Sequence, residues 1–260
     1  LGLMYFNGHG LPKDDAEAAR WYRKSADQGF TTAQVNLAVM YDNGLGVPRD
    51  KVEATKWYRK AAEQGDAGAQ FCMGAAYVSG IGVSEDYEEA AKWYLKAAKQ
   101  GYAMAQCNLG ELYENGHGVP KNNATAAKWY QMAAEQGYAQ AQINLGAMYA
   151  NGVGVRKDEA EAAKWYRKAE AQGDADAQFG LGIKYATGVD GLPQDYAKAA
   201  KCNRKAADQG HAMAQYFLGM FYASGLGVPR DESKAIEWYR KAAEQGNADA
   251  RKALDALGYK

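Results

Sequence analysis

The sequence predicts an all-α fold, an array of about seven helix-turn-helix units of 36 residues each, along a chain of 260 residues. Three observations predict it. The nine residues Trp57 to Gly65, WYRKAAEQG, return letter for letter as Trp238 to Gly246. The Gln-Gly pair that closes the phrase recurs at Gln28, Gln64, Gln100, Gln136, Gln172, Gln209 and Gln245, in steps of 36, 36, 36, 36, 37 and 36. The Trp-Tyr pair that opens it keeps the same beat at Trp21, Trp57, Trp93, Trp129, Trp165 and Trp238, which uses every tryptophan in the chain. A repeat of this length is a unit that buries its apolar face by stacking on its neighbours.

The second helix of each unit is the easier to place. Asp50 offers a side-chain acceptor to the free N–H groups of a helix start, and Glu53 stands three residues on, the spacing of a capping box. Asp14 with Glu17, Asp86 with Glu89, and Asp158 with Glu161 repeat the pattern. Ala54, Tyr58 and Ala61 then form an apolar stripe at i, i+4 and i+7. Gly65 stops the helix, so it runs from near Asp50 to Gln64, about 22 Å at 1.5 Å per residue. The first helix starts just after a Gln-Gly, with Ala33, Leu37 and Tyr41 on one face. Gly or Ala in its middle, as at Ala38, Gly110 and Gly146, lets the partner helix approach closely. It ends at Asn43-Gly44, Ser79-Gly80, Asn115-Gly116, Asn151-Gly152 or Ser224-Gly225, and a short Gly-x-Gly-Val turn leads to the next cap.

The units read as a truncated first repeat at 1–29, full repeats at 30–65, 66–101, 102–137, 138–173, 174–210 and 211–246, and a capping helix at 247–260, all in one elongated domain. In the capping helix Lys252 and Asp255 replace apolar and glycine positions, which suits an exposed terminal face. The chain opens inside a first helix, Leu1 to Tyr5 matching Leu37 to Tyr41, so a preceding segment, with any signal peptide, is expected to be missing. The sixth repeat is irregular. It has Cys202-Asn203 for Trp-Tyr and one extra residue in the stretch Gly188 to Pro193.

Composition narrows the function classes. Lys plus Arg number 31 and Asp plus Glu 31, so no broad basic field exists to hold nucleic acid. No run approaches the roughly 18 apolar residues of a membrane span. Cys72, Cys107 and Cys202 occupy three different places in the repeat and read as free thiols rather than a repeated disulfide. The glycine-dense turns follow helices rather than strands and lack the third glycine of a dinucleotide fingerprint. His9 and His117 share a turn position 108 residues apart and cannot meet on a metal, while His211 stands alone at a helix start. No Ser, Cys or Asp has a base and an orienting partner, so neither enzyme chemistry nor a cofactor is expected. WYRKAAEQG itself reads as scaffolding rather than a base-stacking platform. A catalytic constellation is needed once, whereas a packing contact is needed at every joint.

The running pattern Ala-x-Ala-Gln-x-x-Leu-Gly-x-x-Tyr-x-x-Gly-x-Gly-Val, then Asp, then Ala-Ala-x-Trp-Tyr-x-Lys-Ala-Ala-x-Gln-Gly, resembles the Sel-one-like repeat, a relative of the tetratricopeptide repeat. The resemblance covers almost the whole chain. It implies a right-handed α/α superhelical solenoid whose first helices line the concave face. It further implies a non-catalytic adaptor or scaffold for a protein or peptide, in settings that include quality control, bacterial signalling and envelope assembly, host interaction and the neutralisation of secreted effectors. A cysteine-rich branch of the family, linked to penicillin and cell-wall ligands, supplies the alternative: a cell-wall-fragment or carbohydrate-binding, weakly hydrolytic protein. That branch carries a disulfide in every repeat and this chain does not. The expected partner is a protein or peptide, such as a secreted effector or an envelope or signalling protein, bound by a monomer in the bacterial periplasm or cytoplasm.

If the first helices bear the function, their variable stripe should read the partner. Opposite Leu37 and Tyr41 lie Thr32, Val35, Asn36, Val39 and Asp42, and the equivalent residues change from unit to unit. The candidates are Asn36, Phe71, Asn108, Glu111, Glu114, Asn144, Phe179, Ile183, Tyr216 and Met220. The recurrent asparagines offer a donor and an acceptor to an extended peptide backbone, or else a local bond to the neighbouring repeat. Phe71, Ile143, Phe179 and Tyr216 serve as anchors or else pack between neighbouring first helices. Acidic groups at the middle and apolar ones toward the C-terminus suit a polar or basic segment followed by hydrophobic anchors. The competing surface is the outer one, through Arg59, Lys60, Arg167 and Lys168.

Overall fold

The structure, a computed structural model, describes residues 1–259, and among these there are 15 α-helices and no strand. The first helices of successive units are α1 (Gly2–Asn7), α3 (Thr31–Asn43), α5 (Ala67–Ser79), α7 (Ala103–Asn115), α9 (Ala139–Asn151), α11 (Ala175–Thr187), α13 (Ala212–Ser224) and the terminal α15 (Ala248–Ala256). The second helices are α2 (Asp15–Ala26), α4 (Lys51–Glu63), α6 (Tyr87–Lys99), α8 (Asn123–Glu135), α10 (Glu159–Gln172), α12 (Tyr196–Asp208) and α14 (Glu232–Glu244). They form two compact units, Leu1–Trp129 and Tyr130–Lys260.

The predicted caps are present in half of their predicted form. Asp50 accepts from the Glu53 N–H at 2.9 Å, and Asp14, Asp86 and Asp158 do the same at their helices. Each cap stabilises its helix by about 1 kcal/mol. The reciprocal half of the box, Glu reaching back to the cap N–H, does not form. That N–H is already taken: Asp50 N donates to the Tyr41 carbonyl at 2.9 Å, Asp86 N to Tyr77 and Asp231 N to Tyr222. The tyrosine at the end of each first helix thus ties its last turn to the start of the second. The freed glutamates pair with a cation one turn on, as in Lys56–Glu53 at 2.9 Å, and Glu53 also accepts from the Trp57 indole at 3.0 Å.

The two helices of a unit close on a tyrosine laid over a glycine. A Cβ built on Gly74 would stand 2.5 Å from the Tyr94 ring, and one on Gly219 would stand 2.6 Å from Tyr239. No real Cβ approaches an atom so closely, which explains the small residue expected in the middle of the first helix. Tyr94, Tyr130, Tyr166 and Tyr239 are buried, as are Trp57, Trp93, Trp165 and Trp238, whereas Trp21 and Trp129 are half-buried. Successive units meet through the turn. Gly118, with φ of 66°, lies flat against the backbone of Tyr87 and Glu88 at the start of the preceding second helix, leaving no room for a side chain.

A second joint uses the glutamine of Ala-x-Ala-Gln. Gln34, Gln70, Gln106, Gln142, Gln178 and Gln215 are buried. The Gln70 amide donates to the Ala62 carbonyl at 3.1 Å, one of the orphan carbonyls at the C-terminus of α4. Its own oxygen accepts from Gln100 at 2.8 Å, so the glutamine of Gln-Gly clamps it from the following helix. Gln64 with Gln34, Gln172 with Gln142, and Gln245 with Gln215 repeat the clamp. In the terminal helix Arg251 takes the glutamine's place and still reaches the Ala243 carbonyl, while Ala250 and Leu254 are buried against α14.

Candidate partner-binding surface

Cations that repeat along the outer helices lie against aromatic rings, the lysines within their own helix and the arginines across to a first helix. Lys60 lies over the Trp57 ring at 3.8 Å, Lys96 over Trp93 at 3.7 Å and Lys168 over Trp165 at 4.2 Å. Arg59 donates to the Tyr77 hydroxyl at 3.1 Å, and Arg23 and Arg204 reach Tyr41 and Tyr222 in the same way. Of the four outer cations considered from sequence, Arg59, Lys60 and Lys168 therefore hold neighbouring aromatic rings, and Arg167 is exposed.

The first-helix stripe divides into three kinds of position. Ile143 and Cys107, which helical arithmetic places on it, are 1% and 3% exposed. Ile143 belongs to a core cluster with Ala177 and Leu181, so it packs between neighbouring first helices. The second kind is half-buried and supported. In the first unit Phe71 stacks at 5.7 Å from Tyr94 and 5.3 Å from Tyr102, and Asn108 donates to the Tyr94 hydroxyl at 3.2 Å. That is the local-bond reading of the asparagine. Asn36 is half-buried beside Trp21 and Tyr22. In the second unit Asn144 accepts from Gln140 at 2.9 Å. Phe179 meets Phe217 edge-on at 5.6 Å, Tyr216 meets Phe217 at 5.6 Å and Tyr239 at 5.8 Å, and Met220 packs on the same cluster. Ile183 is half-buried on α11, a turn beyond Phe179. The third kind is charged and solvated: Glu111 is exposed and Glu114 half-buried, both on α7.

The stripe's electrostatics are acidic. From Thr32 to Ser224 its ionised side chains are Asp42, Glu111, Glu114 and Asp176, with no Lys or Arg among them. Burial first, and then the carboxylates of Glu111 and Glu114, push the Cys107 thiol up to about 12. Burial likewise pushes Cys72 and Cys202 up to about 11, so all three cysteines, each on a different helix and outside any disulfide, are protonated at neutral pH. Among the described residues no group of three or more His, Cys, Asp or Glu is placed to hold a metal ion.

Two contributors escaped the sequence reading. His211 is not alone: its Nδ1 accepts from the Ala214 N–H at 3.0 Å as the cap of α13, its Nε2 lies 3.2 Å from Asp176, and its ring stacks on Phe179 at 4.7 Å. Tyr102, the residue before α7, supports Phe71. Both stand at the position immediately after Gln-Gly, which holds Asp66, Tyr138, Asp174 and Asn247 elsewhere. That variability was the available signal.

The fold and its repeated joints define a helical-repeat scaffold. Seven consecutive matches to the Sel1 repeat cover residues 1–30, 31–66, 67–102, 103–138, 139–174, 175–211 and 212–247, and the chain belongs to the Sel1 repeat family. A protective antigen of uropathogenic Escherichia coli strains, displaying an SLR fold, is similar at 43% identity and a TM-score of 0.67, over 98% of this chain and 55% of that one. The chain thus spans little more than half the length of that antigen. A Sel1 repeat protein from Oxalobacter formigenes is similar at 40% identity and a TM-score of 0.71, over 98% of this chain and 74% of that one. An immunity protein from Pseudomonas aeruginosa is 27% identical with a TM-score of 0.50, over 71% of this chain and 66% of that one. No curated protein sequence matches. Sel1 repeat proteins commonly mediate protein–protein interaction and are generally non-catalytic. No helix among the described residues is long and apolar enough to cross a membrane.

Proposed function

We propose that the chain is a non-catalytic scaffold that grips a protein or peptide along the variable stripe of its first helices, and that its partner is a secreted effector protein presenting a basic segment. The observation that carries this reading is a division of labour. The side chains that recur in most units are consumed by internal contacts, namely tyrosine over glycine and glutamine on glutamine between helices and lysine on tryptophan within one helix. The side chains that change from unit to unit are left on the stripe. In the first unit that stripe offers Asn36, Phe71, Asn108, Glu111 and Glu114; in the second it offers Asn144, Phe179, Ile183, Tyr216 and Met220. The acidic side chains of this stripe, on which no Lys or Arg stands, favour a basic segment and speed its encounter, while pre-packed aromatic and methionine side chains supply area at little further ordering cost. The immunity protein among the structural neighbours supports an effector as partner.

The test is affinity capture from the native cell with partner identification, followed by variants at matched folding. Glu111→Gln with Glu114→Gln, and Tyr216→Ala with Met220→Ala, should each weaken binding about tenfold or more, equivalent to about 1.4 kcal/mol. Weakening confined to Lys60→Ala and Lys168→Ala would place the partner on the outer helices instead.

A further inference from the structure

The second and third repeats meet differently from the others, and three residues cause it. Ala38 stands where Gly2, Gly74, Gly146 and Gly219 lie under tyrosine rings, and Tyr58 is the one tyrosine of the six Trp-Tyr pairs that is half-buried rather than buried. Thr55 stands where Ala19, Ala91, Ala127, Ala163 and Ala200 are found. Its hydroxyl donates to the Ile81 carbonyl at 3.2 Å as well as to Lys51 within its own helix. The turn glycine Gly82 consequently rests on the Thr55 side chain, whereas Gly46, Gly118 and Gly227 rest on the backbone at the start of the preceding second helix. Cys72 stands where Asn36, Asn108 and Asn144 do, and it shares a hydrogen bond with the Tyr58 hydroxyl.

These changes open a cavity of about 150 Å³ between α3, α4 and α5. Tyr58, Phe71, Cys72 and Ala75 line it, with Asp42 and Lys51 also on its wall. A cavity of this volume is known to admit one benzene ring. Neither the Asp42 carboxylate nor the Lys51 ammonium has an ion pair or side-chain hydrogen bond among the described residues, and they bring an acceptor and a donor to a mainly apolar and aromatic space whose Thr55 and Ser79 hydroxyls already donate to backbone carbonyls.

We propose that this cavity receives a tyrosine side chain of the protein partner, its ring against Tyr58 and Phe71 and its hydroxyl donating to Asp42 and accepting from Lys51. The inference rests on the reading of the chain as a protein-binding scaffold and names one anchor of that binding. A phenol satisfies both wall ions at once. A leucine of similar bulk fills the space but offers no donor to the half-buried Asp42 carboxylate, which is unfavourable.

The cavity is tested with N-acetyl-tyrosinamide as the probe and N-acetyl-leucinamide as its apolar counterpart, each titrated into the intact chain and followed by amide NMR shifts. The tyrosine amide should give saturable shifts at Phe71, Cys72 and Ala75, with an affinity about tenfold or more above that of the leucine amide. Ala75→Leu, which fills the space, should abolish those shifts. Ala38→Gly, which replaces no residue of the cavity wall but lets Tyr58 settle away from it over the first helix, should weaken binding; thermal unfolding verifies that both variants fold. Absent shifts at these residues, an equal response to the leucine amide, or unchanged affinity in both variants overturns the inference. If the probe fails while Glu111→Gln or Tyr216→Ala still weakens the captured partner, the cavity assignment falls and the scaffold reading stands.

Discussion

The sixth and seventh repeats build the same joint from different parts. In the seventh, Tyr239 covers Gly219, and Gln245 clamps Gln215, whose amide reaches the Ala207 carbonyl at 3.1 Å. In the sixth, Asn203 lies over Gly182, Gln209 donates to the Gly173 carbonyl at 2.8 Å instead of to Gln178, and the buried oxygens Asn203 Oδ1 and Gln178 Oε1 have no hydrogen-bond partner among the described residues. The backbone is nonetheless the same pair of 13-residue helices in both. What the sixth repeat lacks in aromatic packing it recovers partly outside the joint. Its extra residue places Asp190 at φ 54°, where the carboxylate binds Lys184 and accepts from Asn151 at 2.7 Å, and the Asp190 carbonyl accepts from the Tyr166 hydroxyl at 3.2 Å. The contrast teaches that the repeat specifies a backbone first, and that its joints can be weak without being lost.

The sharpest way to break this comparison is to remove the covering side chain in each repeat. Tyr239→Ala empties a buried aromatic site and should cost about 3–5 kcal/mol. Asn203→Ala removes an unpaired buried oxygen together with one helix-internal hydrogen bond, and should change stability by no more than about 1 kcal/mol. Urea unfolding of the two variants checks the ratio. Equal losses would mean that the tyrosine is not what holds the seventh repeat.

The clamp gives a smaller contrast. Gln215→Leu removes two hydrogen bonds, the one from Gln245 and the one to the Ala207 carbonyl, and should cost about 1–3 kcal/mol, whereas Gln178→Leu removes only the bond to the Glu170 carbonyl together with an oxygen already unpaired among the described residues. Chemical denaturation should therefore rank Gln215→Leu below Gln178→Leu in stability; the reverse order refutes the clamp.

Restoring the consensus should run the other way. Asn203→Tyr re-lays a ring on Gly182 and eliminates the buried orphan oxygen, for an expected gain of about 1–2 kcal/mol. In the native chain, amide hydrogen exchange should be faster from Tyr196 to Ala207 than from Glu232 to Ala243, since an array opens first at its weakest interface. Asn203→Tyr should remove that difference. Equal protection in the native chain would show that the sixth repeat is no weaker.

Most of the fold was legible because a repeat states each contact six or seven times. The Gln-Gly and Trp-Tyr beats located every helix pair, and the small residue under the tyrosine followed from its place opposite an aromatic. What escaped were contacts that depend on a third element. The capping box lost its second half because the cap N–H belongs to a tyrosine carbonyl of the previous helix, which spacing within one helix cannot reveal. Ile143 and Cys107 fell on the apparent open stripe because helical arithmetic assumes one buried face, whereas a first helix is flanked by both its own and the preceding second helix and by neighbouring first helices. Lys60 and Arg59 looked like a surface pattern and are lids on Trp57 and Tyr77. The buried role of the glutamine in Ala-x-Ala-Gln was visible as a strict repeat, but nothing in one unit shows which carbonyl it must cap.

The smallest effect concerns how the sixth repeat holds its extra loop. Burial alone would raise the Asp190 carboxyl, but hydrogen bonds from Lys184 and Asn151 outweigh it and hold the group below the ordinary aspartate value of 3.8. A carboxyl whose pKa is lower folded than unfolded binds its proton more readily in the unfolded chain. Its contribution is therefore complete above the unfolded value and is lost as pH falls through the folded one. The loop is partly exposed and the pair screened, so the whole contribution should be at most about 1 kcal/mol. Asp190→Asn is the informative change, because Asn also tolerates positive φ and keeps the backbone carbonyl for Tyr166. The native chain should lose more stability than Asp190→Asn between about pH 5 and about pH 3. Asp231, the cap of α14, also lies below the ordinary value, through hydrogen bonds from Lys234, and is unaltered in both proteins, so its titration cancels in the difference. Parallel acid profiles for the two proteins would show that the Asp190 charge does not hold the loop, leaving the Tyr166 hydroxyl and the chain turn to do so.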